Sequence, residues 1–401
     1  MSEPDPRPVV RLRPQARRFA EGASPPWAYA DEIVLDRRTR AIAAGAIVEL
    51  QDGARRPLGA AAFNAGSKIA ARLLDPDPAA AIDADWLARR LARALALREA
   101  LFDAPFYRLA HAEADGLPGV VIDRFGDAAA VQPNAAWADA RLPALVEALR
   151  AVAGVATVVK NAAGRTRALE GLDAESAMLT GTLDGPVAVP MNGAVYYADL
   201  AHGQKTGIFY DQRPNHAFAA RLAKGRDTLD LFSHVGGFAL AALAGGARGA
   251  LAVDSSAPAL ELAAKGAAAS GVADRFEARR ADVFDAAAAL AAEGRRFGLV
   301  VCDPPAFAPN KAALDAGLRA YERVARLAAA VAAPDGFLVL CSCSHAADLA
   351  RFREASLHGV ARAGRSAQIL HVGGAGPDHP VHPALAETAY LKALFLRLGD
   401  P

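Results

Sequence analysis

Apolar and polar positions divide the chain into three stretches with different periods. Up to about residue 75 the apolar residues come in short alternating runs, such as Ala46-Ile47-Val48-Glu49-Leu50 and Lys68 to Leu74, punctuated by glycine and proline. A period of two is the mark of strands, so this stretch predicts a small β-rich domain. Asp75-Pro76-Asp77-Pro78 closes it, because a residue before proline is pushed out of helical geometry. From about Asp85 to Leu101 the period changes: Leu87, Leu91, Leu95 and Leu97 lie close to helical spacing. Hairpin-like segments around Gly116 to Phe125 and a second helix over Leu142 to Val152 complete an α+β stretch with no catalytic constellation. From about residue 187, strand-like and helix-like segments alternate. Thr228 to Phe232, Ala250 to Val253, Phe297 to Cys302 and Gly336 to Cys341 read as strands, and Gly237 to Ala244 and Ala257 to Ser270 as helices. Such alternation predicts an α/β domain with a doubly wound, mostly parallel sheet. The expected organisation is therefore 1–75, 76–186 and 187–401.

Composition narrows the functional classes. The chain has 401 residues and is 53% hydrophobic, much of it alanine, enough for two or three cores. The longest apolar stretch, around Leu327 to Cys341, is interrupted by Pro334, Asp335 and Gly336, so no membrane span is expected. The first residues, Met-Ser-Glu-Pro-Asp-Pro, contain no apolar secretory core. Three cysteines, Cys302, Cys341 and Cys343, are too few for a disulfide framework or a four-cysteine zinc site and suit a reducing cytoplasm. Net charge is +1, so any nucleic-acid surface must be local. Residues 9–74 carry 11 Lys/Arg against 6 Asp/Glu, opening with Arg11, Arg13, Arg17 and Arg18; this is either a basic docking surface or a solvated face. The sequence leaves a homodimer open.

Ligands of doubly wound sheets bind beyond the carboxyl ends of the strands, so the chemistry is sought there. The first strand runs into Ser233-His234-Val235-Gly236-Gly237-Phe238, a turn that lets backbone approach a ligand and opens a helix N-terminus. Its spacing is not the Gly-x-Gly-x-x-Gly of dinucleotide sites. Asp254, in Val253-Asp254-Ser255-Ser256, could accept bonds from ribose hydroxyls or cap the next helix. Asp282 could meet an adenine amino group, or again serve as a cap. Asp303-Pro304-Pro305-Ala306-Phe307 is the most specific motif: two prolines fix a rigid bend and hold the acid at the rim of the sheet. Cys302 and Cys341 sit in apolar runs and read as small buried hydrophobes, whereas Cys343 lies past its run and is the candidate nucleophile. Upstream, His202-Gly203-Gln204-Lys205-Thr206-Gly207 leads into Asp211-Gln212-Arg213, offering carboxylate donors in Lys205 and Thr206 and an acid in Asp211, without P-loop spacing. His371, His379 and His382 could bind a metal, but loop histidines beside prolines are more often surface residues, and no metal is assigned.

The combination of Gln204-Lys205-Thr206-Gly207, Asp211-Gln212-Arg213, Phe232-Ser233, Gly236-Gly237-Phe238, Asp303-Pro304-Pro305 and Ser342-Cys343-Ser344 resembles the bacterial large-subunit ribosomal RNA cytosine-C5 methyltransferases of the RlmI type. Asp115-Gly116-Leu117-Pro118-Gly119, Asp123-Arg124-Phe125 and Asp378-His379-Pro380-Val381 match the same family, so the likeness spans most of the chain. It implies an N-terminal PUA RNA-binding domain, a central α+β domain and a C-terminal Rossmann-like class I methyltransferase domain. It further implies S-adenosylmethionine as cofactor and large-subunit ribosomal RNA as partner. Cofactor contacts would fall on Lys205, Thr206, Asp211, Phe232, Ser233, Gly236, Gly237, Asp254, Ser255, Asp282 and Asp303. Substrate contacts would fall on Arg213, Pro304, Pro305 and Phe307. Two departures border the implied substrate site: Ala306 where the family often has lysine, and His345 where it has glycine.

Cytosine C5 is too weak a nucleophile to take a methyl group directly. A thiolate adding to C6 makes it reactive, which implies Cys343 as nucleophile and Asp303 as the group holding the base near N3. No cysteine follows Asp303, so the base that removes the C5 proton is unassigned. Amino-group methyltransferases place an aromatic directly after their Asp/Asn-Pro-Pro; here Ala306 intervenes before Phe307. A non-catalytic RNA-binding or assembly protein, and an NAD-dependent oxidoreductase, are the other readings; the cofactor and cysteine motifs oppose the first and the glycine spacing the second.

Overall fold

A computed structural model describes residues 7–16, 19, 25–201 and 207–400. Its contacts separate two compact units: Met1–Gly185 with Leu200–Thr206 and Asp378–Thr388, and Pro186–Asp199 with Gly207–Pro377 and Ala389–Pro401.

The first unit opens with strands β1 (Val9–Arg11), β2 (Trp27–Tyr29), β3 (Ala46–Gln51), β4 (Pro57–Phe63) and β5 (Ile69–Asp75), with a single-turn helix α1 (Arg37–Arg40) between β2 and β3. They form a five-stranded sheet in the order β1-β3-β4-β5-β2. Alternation in β3 buries Val48 and Leu50 beside Val10, Ile33, Phe63 and Ala70. Helix α2 (Ala84–Leu101) follows, its first turn capped by Asp83 onto the amide of Trp86. A second five-stranded sheet, in the order β10-β9-β8-β7-β6, comprises β6 (Phe106–His111), β7 (Val120–Phe125), β8 (Ala128–Pro133), β9 (Thr157–Lys160) and β10 (Ala177–Thr180). Helices α3 (Ala136–Ala140), α4 (Leu142–Ala153) and α5 (Arg165–Leu169) belong to the same region. Ala60, Ala62 and Leu74 of the first sheet share one core with Trp86, Leu91, Ile122, Trp137 and Leu149, so the two sheets are packed together rather than joined by a free linker.

The central motifs form a buried polar net. Arg98, fully buried, grips both oxygens of Asp115 at 2.6 and 2.7 Å and donates to the Asp378 carbonyl at 2.8 Å. Arg108 holds Asp123 with two bonds, 2.8 and 2.9 Å, and its amide donates to the Asp378 carboxylate at 3.0 Å. Buried charges are tolerable only when paired in this way. The signature acids of this region are therefore the pins that hold Asp378–Thr388 to the first unit.

The second unit starts with a hairpin, β11 (Val187–Met191) and β12 (Ala194–Ala198), then helix α6 (Arg213–Ala223). The alternation read from the sequence follows: β13 (Asp227–Leu231), α7 (Gly237–Ala244), β14 (Gly249–Asp254), α8 (Ala257–Ala269), β15 (Phe276–Arg280), α9 (Val283–Ala292), β16 (Phe297–Cys302), α10 (Leu314–Val331), β17 (Ala332–Ser342), α11 (Leu349–Arg362), β18 (Ser366–Gly373) and β19 (Lys392–Gly399). The seven strands order as β15-β14-β13-β16-β17-β19-β18. The first five are parallel, β19 is antiparallel to β17, and β18 is antiparallel to β19. The order reverses between β13 and β16, which is where a sheet of this type opens a ligand crevice. Leu229, Leu231, Leu251, Val300 and Leu338 fill the core on one face, against Tyr321, Val324 and Phe352 of α10 and α11. The fold class read from the sequence is the one observed. Among the described residues, no helix is long and apolar enough to cross a membrane.

Candidate functional site

The chain leaves β13 through a strained turn. Phe232 (φ 64°) and His234 (φ 48°) adopt the left-handed region that side chains other than glycine rarely occupy, and Gly236 follows at φ 80°. The Gly236 amide closes the turn on the Ser233 carbonyl at 2.8 Å, and α7 begins at Gly237. A Cβ on Gly237 would sit 2.8 Å from the His216 imidazole, so only glycine fits there.

Asp254 ends β14 and ties the neighbouring turns together. One carboxylate oxygen accepts from the His234 amide at 2.9 Å, the other from the Ser256 amide at 2.8 Å. The cap of α8 is Ser256, whose hydroxyl accepts from the Ala259 amide, so Asp254 is not the helix cap. Ser255 beside it is exposed. Asp282 does cap a helix: its carboxylate accepts from Phe284 and Asp285 at the start of α9. The Asp303 amide donates to the Leu231 carbonyl at 3.2 Å, fastening the Asp-Pro-Pro bend to the end of β13. Asp303 is half-buried, Pro304 buried and Pro305 exposed. Phe232, Phe284 and Phe307, from three different strand ends, form an aromatic triangle with ring centroids 6.2 to 6.3 Å apart. The three sequence-predicted groups Phe232, Phe307 and the segment opened by Asp282 are thus brought together.

Upstream of α6, Asp211 is buried; one oxygen accepts from the Tyr390 hydroxyl at 2.6 Å. Arg213 lies over the Tyr210 ring at 5.4 Å. Lys205 and Thr206 lie outside the described residues.

Beyond β17 the three cysteines separate. Cys302 and Cys341 are buried, and burial pushes both thiols well above the ordinary range. Cys343 is half-buried. The serines on either side of it are fully buried and clamped: Ser342 donates to the Tyr321 hydroxyl at 2.9 Å, Tyr321 and Ser344 hydroxyls are 2.7 Å apart, and Ser344 accepts from the Ala308 amide at 2.9 Å. Since β16 and β17 are adjacent parallel strands, with Cys302 opposite Leu340, the acid motif and the Ser-Cys-Ser motif leave the same edge of the sheet side by side.

One acid went unrecognised in the sequence. Asp230, in the middle of Leu229-Asp230-Leu231, is 1% exposed; one oxygen accepts from the Ala239 amide at 2.9 Å and the other has no partner. Burial raises its pKa to about 8, the Ala239 amide opposes that, and the neighbouring Asp303 and Asp254 add to the rise. Ser233 and Asp211 likewise each present a buried oxygen with no partner. Buried polar atoms without partners are costly in a folded protein. Three of them, on segments at one end of a doubly wound sheet, fit a ligand carrying positive charge and hydrogen-bond donors. No cluster of three or more potential metal-binding side chains occurs among the described residues.

The profile of the S-adenosylmethionine-dependent methyltransferase family matches residues 141–397, and that of a PUA-like domain residues 10–76. Ribosomal RNA large subunit methyltransferase I of Aeromonas hydrophila is 35% identical over 353 residues, covering 86% of this chain and 88% of its own length. The protein of that name from Shewanella denitrificans is 34% identical over 395 residues, covering 97% and 99%. The chain belongs to this methyltransferase family. Its cofactor is S-adenosylmethionine, and its N-terminal sheet is the PUA-like domain. In fold the methyltransferase is also similar to a solved structure described as a putative SAM-dependent methyltransferase from Streptococcus mutans, with a TM-score of 0.81, 20% identity and coverage of 97% of this chain and all of the other.

Proposed function

We propose that the enzyme forms 5-methylcytosine in large-subunit ribosomal RNA, with Cys343 as the covalent nucleophile. The observation that carries this reading is the pair of adjacent strand ends. An acid on a rigid proline bend and the half-buried cysteine of the three stand side by side at the carboxyl edge of one sheet. The names of the relatives in Aeromonas and Shewanella support the choice of RNA.

S-adenosylmethionine supplies an electrophilic methyl group on a positively charged sulfur. The chain's residues do the rest. Asp254, held by two amides, keeps lone pairs for the ribose hydroxyls, and the Gly236-Gly237 turn lets backbone pass close to the cofactor's amino-acid end. Asp230, Ser233 and Asp211 direct unpartnered oxygens toward donors and positive charge. Ser255 and Phe232 flank the adenosine, beside the Asp282 cap; Lys205 and Thr206 are assigned to the same cofactor. Arg213, Pro304, Pro305 and Phe307 border the base. The Cys343 sulfur adds to C6, and Asp303 holds the N3 edge so that the electrons of the C5–C6 bond move toward C5, which takes the methyl group. A water molecule then takes the C5 proton, the C–H electrons re-form the C5–C6 double bond, and the C6–S bond breaks to return Cys343 as the thiolate.

A second reading, methylation of an exocyclic amine, draws on the same Asp-Pro-Pro bend but needs no thiol. Nucleoside mass spectrometry of large-subunit ribosomal RNA from a strain lacking the gene decides between them. Loss of one 5-methylcytidine, restored by the native gene and not by Cys343→Ala, is the expected result; an intact 5-methylcytidine inventory with a missing N-methylated nucleoside would select the second reading.

A further inference from the structure

Lys392 opens β19 directly opposite Ser342, the residue before Cys343. It is a buried cation, 8% exposed. Its ammonium donates to the Ser344 carbonyl at 2.6 Å and the Ala347 carbonyl at 2.7 Å, so it rests on the backbone immediately beyond Cys343. Two neutral carbonyls do not neutralise a charge, and among the described residues no carboxylate lies within ion-pair distance of it. A buried ammonium without an anion is unfavourable unless one appears beside it. Among the described residues, the ionisable groups whose negative charge would favour the ammonium are Cys343 and Asp348. Asp348 is exposed and already accepts from the Arg351 amide as the cap of α11. Cys343 lies between Ser342 and Ser344; their hydroxyls bond the buried Tyr321 phenol and the Ser344 carbonyl accepts from the Lys392 ammonium, so the charge of Cys343 acts on both groups. Tyr321 is neutral at working pH, because burial raises its pKa. Among the described residues, the thiol is the group beside Lys392 left to supply a close negative charge.

We propose that Lys392 is the counter-ion of the Cys343 thiolate, a positioning residue that keeps the nucleophile ionised between the two serine clamps. The inference rests on the reading of Cys343 as the nucleophile. The thiol proton passes to solvent, the electron pair stays on sulfur, and the ammonium keeps its own proton against the two carbonyls. Burial pulls Lys392 toward the neutral amine and an anion at Cys343 pulls it back, so each group holds the other charged. The hydroxyl net around Ser342 and Ser344 then has a clear purpose: it fixes the peptide on both sides of the sulfur so that the pair stays in register.

The test is the pH dependence of alkylation by iodoacetamide, read on the intact full-length chain by mass. Cys302 and Cys341 are buried, so a single fast adduct reports Cys343, and Cys343→Ala provides the blank. The native midpoint is expected to fall below about 7.5, against about 8.5 for a free cysteine. Lys392→Met should raise it by at least one pH unit and slow labelling at pH 7 about tenfold, whereas Lys392→Arg should restore most of the rate. A native midpoint at or above about 8.5 overturns the proposal without recourse to any variant. So does a folded Lys392→Met protein with an unshifted midpoint. Methylation by Cys343→Ala at the native rate would instead overturn the nucleophile reading, leaving the midpoint measurement to judge the ion pair by itself.

Discussion

Asp230 offers a quantitative test of the site's electrostatics. Its carboxyl is fully buried, accepts from backbone amides at the start of α7 on one oxygen only, and feels the charges of Asp303 and Asp254; its ionisation midpoint moves from 3.8 to about 8. Each unit corresponds to about 1.4 kcal/mol, so the bias against the charged form is on the order of 5 kcal/mol. In the unfolded chain this acid ionises near pH 4, so between about pH 4 and pH 8 the folded protein holds a proton that the unfolded chain has released. Stability must therefore fall as pH rises through that window, by up to about 1.4 kcal/mol per pH unit, and level off above pH 8. Asp230→Asn can still accept from the Ala239 amide but cannot ionise. The variant should lose this slope: compared with the native protein across pH 5 to 9, it gains relative stability with each step up to pH 8. The same acid should couple to the cofactor. A positively charged ligand near the unpartnered oxygen favours the carboxylate, so binding expels the proton held at neutral pH. The affinity for S-adenosylmethionine should rise by up to about tenfold per pH unit below pH 8, with proton release visible in calorimetry as a dependence on buffer ionisation enthalpy. In Asp230→Asn both signatures should vanish. Denaturation curves of native and variant protein that run parallel from pH 5 to 9 would refute the reasoning.

Three further outcomes follow from other parts of the structure. Asp254→Ala removes charge-assisted bonds of roughly 1.5–3 kcal/mol, so calorimetry should show S-adenosylmethionine binding weakened about tenfold to a hundredfold; unchanged affinity would confine Asp254 to tying the two turns together. Arg37→Glu with Arg40→Glu, on the exposed face of α1, should weaken RNA binding and flatten its salt dependence while cofactor affinity is untouched; equal RNA affinity across salt concentrations would deny this basic face a docking role. Charge reversal is the right perturbation because Ala60, Ala62 and Leu74 share a core with the central helices, so excising residues 1–75 would expose that core. Cys341→Ser should keep substantial methyl transfer at a modest cost in stability, measured by initial rates and thermal melting; loss of transfer equal to that of Cys343→Ala would shift attention to the buried thiol.

Most of the sheet was legible from hydrophobic runs bounded by glycine and acids. The helix read over Asp85 to Leu101 is observed over Ala84–Leu101, and that over Leu142 to Val152 over Leu142–Ala153. Position past the apolar run also separated Cys343 from Cys341, because burial in a strand covered by helices on both faces follows the run itself. Asp230 was not legible: an acid alternating with leucines reads as the wet side of a strand, and only the packing of α7 against the sheet makes that side dry. Lys392 was hidden for a related reason. Its meaning comes from the antiparallel pairing of β19 with β17, a contact of residues 50 positions apart that no local pattern announces. The role of Asp254 could not be divided between cap and ligand until the structure gave the cap to Ser256. The central acids Asp115, Asp123 and Asp378 were recognisable as motifs, yet their joint function as pins appears only when Arg98 and Arg108 are seen to bridge them.

Methylation at cytosine C5 through a thiol passes through a covalent RNA adduct that a fluorinated base can trap. A ribosomal RNA fragment carrying 5-fluorocytidine is incubated with the full-length enzyme and S-adenosylmethionine, and the products are resolved under denaturing conditions. Fluorine cannot leave C5 as a proton does, so the native protein should accumulate a covalent RNA adduct that maps to Cys343 and is missing in Cys343→Ala. An undiminished rate of methyl transfer by Cys343→Ala, with no adduct formed by the native enzyme, would contradict the account.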